Sequence, residues 1–177
     1  METKRLTVEE LQAYWDMIKN GEGPLVVYPS LMPPWEDLCM ELRWRLHKVD
    51  GGYFSSKSFG YCGVYRLVAL EHESSLSTPA TFNRLCGQDK SGTLYIGSAS
   101  RLHARLNQLR RSLRADRPEG SHGVADTLKA LPGMNYPPSR LAIAVLSTMR
   151  FVRAIEGDLI SAYRNTFGDA PPLNFRG

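Results

Sequence analysis

The chain has 177 residues, 42% of them hydrophobic and 23% charged, with a formal net charge of +4 and an isoelectric point of about 9.0. That describes one globular domain with a modest extension, compatible with a polyanionic partner, and no apolar run approaches the roughly 20 residues of a membrane span. The three cysteines, Cys39, Cys62 and Cys86, lack C-x-x-C spacing and the chain starts Met1-Glu2-Thr3-Lys4-Arg5 without the apolar core of a secretory signal, so disulfide and zinc frameworks are disfavoured and a cytoplasmic protein is expected.

Thr7-Val8-Glu9-Glu10 has the pattern of a capping box, and Val8, Leu11, Trp15 and Ile18 follow at helical spacing up to a stop at Gly21. Pro24-Leu25-Val26-Val27-Tyr28-Pro29 is a short apolar run between prolines and reads as an edge strand or extended segment. A second helix is predicted from near Pro34, with Trp35, Leu38, Leu42 and Leu46 on its buried side, Glu41 and Arg45 paired at i,i+4, and Asp50-Gly51-Gly52 at its end. This first third reads as packing for the core; shaping of a binding groove or a dimer contact is the alternative.

Residues 61–70 read as a strand, with Tyr65 and Leu67 on one face and Val64, Arg66 and Val68 on the other. Residues 71–92 are polar and turn-rich, a long loop for a compact domain. Residues 93–97 form the returning strand, and Ser98 or Ser100 is placed to cap a helix running to about Leu113. That helix has an apolar stripe of Leu102, Leu106, Leu109 and Leu113 and a basic surface of Arg101, Arg105, Arg110, Arg111 and Arg114. After a loop at 116–120, Ser121 is placed to cap a short helix burying Val124, Leu128 and Leu131. Residues 141–146 are apolar on both alternations, the mark of a strand covered on both faces. A final helix is predicted over 149–166, broken at Gly168 and followed by the extended tail Pro171-Pro172-Leu173-Asn174.

Six positions carry possible chemistry. Gly63-Val64-Tyr65 opens one strand and Tyr95-Ile96-Gly97 ends the next; Arg105 follows Tyr95 by ten residues, His122 precedes the short helix, Glu156 lies in the last helix and Asn174 in the tail. Taken singly, the tyrosines read as sheet aromatics, Arg105 as part of a solvated helix face, His122 as a helix cap and Asn174 as a loop residue. Glu156 is different, because it sits one turn from both Val152 and Ile160, within an apolar face. A carboxylate there needs an ion-pair partner or a metal.

In this order, and on these elements, the set resembles the GIY-YIG nuclease family over roughly residues 60–174. The resemblance implies an α+β fold whose small three-stranded antiparallel sheet is flanked by helices. Residues 1–59 would be an N-terminal helical extension packed on a nuclease core of residues 60–177. It also implies a divalent-metal-dependent endonuclease hydrolysing DNA phosphodiester bonds. Tyr65 would contact or deprotonate the attacking water, Tyr95 orient water or phosphate, and Arg105 hold the phosphate. Glu156 would be the one protein ligand of magnesium or manganese (Mg2+ or Mn2+), and Asn174 would order the site. His122 matches a histidine of some members and would act as general acid or phosphate contact. Arg101, Arg110, Arg111 and Arg114 would bind double-stranded DNA, with Arg101 the nearest assistant or substitute for Arg105.

Two departures stand out. Many homing and restriction members place a histidine four residues beyond the arginine, where this chain has Leu109, leaving His103, His122 or Arg101 to act on Tyr65. The long segment 71–92 also separates the two tyrosine motifs, as restriction-type members tolerate. By analogy the expected role is a type II restriction-like enzyme, homodimeric on a palindromic site, whose N-terminal helices and insertion read bases. A repair or mobile-element nickase, a DNA-targeting toxin, and a non-catalytic nucleic-acid-binding module are the alternatives.

Overall fold

The structure is a computed structural model that describes residues 4–55, 61–73, 75–114, 122–148 and 150–174. Five α-helices and six strands follow one another as α1 (Val8–Asn20), α2 (Trp35–Glu41), β1 (Arg45–Lys48), β2 (Cys62–Ala69), β3 (Phe82–Arg84), β4 (Gly87–Asp89), β5 (Thr93–Ala99), α3 (Leu102–Arg114), α4 (Gly123–Ala130), β6 (Leu141–Thr148) and α5 (Val152–Phe167) among the described residues. The main sheet has the order β1-β6-β2-β5 with every neighbouring pair antiparallel, and β3 and β4 form a separate hairpin.

The α+β class is as expected, but the sheet has four strands rather than three. The extra strand is β1, which pairs Arg45 to Lys48 against Val145 to Ala142. The sequence predicts these residues at the end of the second helix because Leu46 continues the spacing of Trp35, Leu38 and Leu42. The helix instead ends at Glu41, and Leu42 is already extended at φ −69 and ψ 135. The free edge of β6 supplies hydrogen bonds that outweigh the weak local propensity. Arg45 therefore has no i,i+4 relation to Glu41. The run between Pro24 and Pro29 is an extended segment rather than an edge strand: prolines deny it ladder donors, Tyr28 is extended, and Val26 and Tyr28 remain exposed.

Helix α1 has the predicted capping box, with the Thr7 hydroxyl accepting from the Glu10 amide and the Glu10 carboxylate from the Thr7 amide, and it stops at left-handed Gly21. One face of the sheet carries α3 and α4. The leucine stripe of α3 is buried there against Tyr65, Leu67, Ile143 and Val145, each leucine worth about 1.5–3 kcal/mol of burial. Leu109 belongs to this seam, so an ionisable side chain in its place would need a buried partner. The other face carries α5, α1 and α2, with Val64, Ile96 and Leu146 packed on Leu11, Trp15, Trp35, Ile155 and Leu159. Central β6 is buried on both faces from Leu141 to Leu146, as its unbroken apolar run predicts.

The segment between the tyrosine strands is not a loose loop. Its hairpin is pinned to the C-terminal end of α5: Cys86 N–H donates to the Phe167 carbonyl, and Arg84 forms a two-pronged ion pair with Asp169. Ser121 and the loop at 116–120 lie outside the described residues, as do Met149 and the start predicted for the last helix, which begins at Val152.

Candidate active site

The sheet register brings the two glycine-tyrosine motifs together. Tyr65 pairs with Gly97 and Gly63 with Ala99, so both motifs share one face near the same end of the β2–β5 pair. Each glycine has a steric cause. A Cβ at Gly63 would stand 2.5 Å from the Leu146 carbonyl oxygen and 2.9 Å from the Leu102 side chain, where the first turn of α3 crosses the sheet. A Cβ at Gly97 would stand 2.7 Å from the Tyr95 hydroxyl, because that ring folds back over its own strand. Gly97→Ala should therefore displace the Tyr95 ring in a protein that stays folded. An unchanged Tyr95 environment by NMR would contradict this.

Tyr65, Tyr95 and His122 form a three-ring cluster with centroids 6.0–6.3 Å apart. Tyr65 is fully buried, and its hydroxyl lies 3.0 Å from His122 Nε2. His122 is itself only 1% exposed and caps α4, its Nδ1 accepting from the Val124 amide. An amide can only donate, so the neutral imidazole carries its proton on Nε2 and donates it to the Tyr65 oxygen. Burial, then the Arg105 charge, push His122 down to about 4 against an opposing pull from Asp126, which keeps it neutral near pH 7. With its oxygen accepting from His122, Tyr65 is left with its own O–H proton to donate elsewhere.

Burial also raises Tyr65, with Tyr95 and Glu156 adding to the rise and Arg105 opposing it. Tyr95, half-buried, is raised by burial and by Glu156 and lowered by Arg105. Both are therefore neutral phenols here. The positive charge a phenolate base requires is present in Arg105, but burial outweighs it.

Arg105 connects this cluster to a cleft of about 580 Å³. Ser98, Ala99 and Ser100 at the end of β5 line it, with Arg101, Ala104, Arg105, Gln108 and Arg111 along α3 and Val152 and Arg153 at the start of α5. The Arg105 guanidinium is steadied by Gln108, 2.9 Å from Nη1. Ser98, on the opposite face of β5 from Tyr95, is not a helix cap; its hydroxyl donates to Glu156 Oε2 at 2.6 Å. Glu156 is half-buried and forms no ion pair with any described residue, so the arginine partner considered from sequence is absent there.

Asn174 does not enter the cleft. It clamps the backbone of Ile96 from the sheet edge, accepting from the amide at 2.9 Å and donating to the carbonyl at 2.8 Å, beside Leu173 N–H on the Leu94 carbonyl. The tail thus covers the open edge of the strand that carries Tyr95. Of the other basic residues, Arg101 and Arg111 line the cleft, whereas Arg110 donates to the Val49 carbonyl and Arg114 lies outside the cleft lining.

Ser98, Gln108 and Arg153 were missed from sequence. Arg153 alone had a signal, since it precedes Glu156 by three residues and so shares its side of the helix. Among the described residues no group of three or more His, Cys, Asp or Glu side chains converges as a metal cage, and none of their helices is long and apolar enough to cross a membrane. Compared with known proteins, the chain matches no family model, no curated protein and no solved structure.

Proposed function

We propose that this protein is a divalent-metal-dependent endonuclease of the GIY-YIG kind, hydrolysing phosphodiester bonds in double-stranded DNA. The observation that carries this reading is the convergence of Tyr65, Tyr95, His122 and Arg105 at the end of two glycine-relieved strands, beside a cleft lined by arginines and next to an unpaired carboxylate.

In this mechanism Arg105 grips the phosphoryl oxygens with its planar fork and stabilises the charge that grows on them. Tyr65, with no exposed surface, directs its proton to the Tyr95 hydroxyl, and half-buried Tyr95 orients the attacking water or a phosphate oxygen. His122 is a positioning residue: buried behind Tyr65, it fixes the direction of the phenol proton and does not reach the phosphate. A general acid role, expected from sequence, is disfavoured because the ring is neutral near pH 7. Asn174 likewise acts through β5.

Glu156 suits a hard cation that keeps most of its waters and takes one carboxylate, as magnesium and manganese do. It does not suit a zinc or calcium cage, which needs several protein ligands. When bound, such an ion supplies Lewis-acid neutralisation at the phosphate.

The restriction-like role keeps its place as the finer proposal, with one revision. The hairpin at residues 82–89 is anchored at the end of α5 opposite the cleft, so it supports the fold rather than reading bases there.

Purified protein should convert supercoiled plasmid to cut forms in magnesium or manganese and not in EDTA. Tyr65→Phe should lose activity by about a hundredfold to a thousandfold while keeping its fold, with some stability lost because His122 Nε2 is left unpaired. Cutting by Tyr65→Phe at the wild-type rate would sink this role for the phenol, and inactivity of the wild type with every divalent cation would sink the reading itself.

A further inference from the structure

The cleft is built from two walls, and the second wall is not part of the basic helix. Arg101, Arg105 and Arg111 come from α3 and its start, while Arg153 comes from the first turn of α5 on the other side. Arg153 stands three residues before Glu156, a spacing at which arginine and glutamate commonly pair, yet the two form no ion pair. Arg153 lines the cleft instead. The side chains of Arg101 and Arg111 likewise make no hydrogen bond or ion pair with any described residue, and both residues are exposed. No carboxylate lines the cleft.

Four guanidinium groups around one space of about 580 Å³ repel one another. Bringing like charges together costs Coulomb energy even in water. An anion with several charges removes that cost. The rise of an α-helix puts Arg101 and Arg105 about 6 Å apart along the axis, and Arg101 and Arg111 about 15 Å apart. A single phosphate cannot meet them all, whereas a run of phosphates along one strand can.

We infer that Arg153 and Arg111 form a clamp across the cleft that grips phosphates flanking the reactive one, so that one DNA strand is held between α3 and α5. This deepens the nuclease reading and rests on it for the identity of the strand. The clamp supplies affinity and register; Arg105 holds the reacting phosphate, with Glu156 bonded to Ser98 of the cleft wall. Arg110, bonded to Val49, takes no part.

The test is DNA binding without cleavage. In EDTA, the anisotropy of a labelled duplex of about 20 base pairs is followed from about 50 to 200 mM salt for the wild type, Arg111→Gln, Arg153→Gln and the double variant. The slope of log affinity against log salt should become shallower by about 1 for each arginine removed, with affinity falling roughly tenfold in the double variant at the low-salt end. Arg164→Gln, an exposed arginine near the other end of α5, is the control and should leave the slope alone. Matching melting temperatures would show that the variants are folded.

An unchanged slope in Arg153→Gln overturns the clamp even if the wild type cuts DNA, in which case the nuclease reading stands. The expected loss of slope in a protein that fails to cut DNA with any divalent cation keeps the clamp and removes the nuclease. Tighter binding to a single strand than to the duplex overturns the assignment to double-stranded DNA.

Discussion

Glu156→Gln should reduce magnesium-dependent cleavage by about a thousandfold or more while leaving duplex binding in EDTA as strong as in the wild type. Glutamine keeps the size of the side chain and an amide oxygen that can accept from Ser98, so the local packing of α5 on β5 survives. What disappears is the negative charge. That charge has no basic partner among the described residues, and its removal leaves no cation stranded. A structural ion pair would behave differently, because deleting its acid leaves a buried arginine and destabilises the protein by about 3–5 kcal/mol.

The two readings therefore separate on paired measurements. Lost cleavage with a melting temperature near that of the wild type marks a cation ligand. Retained cleavage with a much lower melting temperature marks a structural residue and would remove the metal from the mechanism. Raising the magnesium concentration gives a further check, since a variant that only weakens the site regains rate at high metal.

Much of this site was legible because its signals are local. The alternation in residues 61–70 placed Tyr65 with Leu67, and the leucine spacing of α3 put Arg105 on its surface; both hold in the sheet register and in the buried stripe. What escaped reading was non-local. Leu46 sits at a helical interval from Leu42 and nothing nearby says otherwise, yet the unfilled edge of β6 draws it into a strand. Residues 82–89 are polar enough to pass for a loop, and only Phe167 and Asp169, some eighty positions away, reveal a docked hairpin. Ser98 looked like a helix cap because it precedes α3, but its partner lies on α5. His122 could be read as a cap from its position, and it is one. That its other nitrogen meets Tyr65 depends on how α4 packs against the sheet.

The largest effect on stability is expected at Asp89, within the polar, turn-rich stretch of residues 71–92. Asp89 is fully buried, with its carboxylate accepting from the Ser91 amide, the Ser91 hydroxyl and the Tyr163 hydroxyl. The matching charge is Arg66, 4% exposed on β2, whose guanidinium lies over the Trp44 ring at 4.6 Å and donates to Thr93 Oγ1 and Cys39 Sγ. Trp35 donates to Ser91 Oγ, and Thr93 Oγ1 lies 2.8 Å from the same atom. One arrangement of protons satisfies all of these: Arg66 donates to Thr93, Thr93 to Ser91, and Ser91 to Asp89. The network joins the N-terminal segment, the hairpin, β5 and α5. Asp89→Ala removes its only carboxylate and leaves the guanidinium buried without a counter-charge, which should cost about 3–5 kcal/mol and lower the melting temperature by about 10 °C. Adding Arg66→Met should recover part of that loss, because the orphaned charge goes with it. Calorimetry on the two single variants and the double one decides the matter. If the losses simply add, Asp89 and Arg66 are not coupled, and the directed chain of hydroxyls between them carries no energy. If they couple, residues 1–59 and the hairpin are bound to the strand that carries Tyr95 through one buried network, and separating them from residues 60–177 should unfold the core.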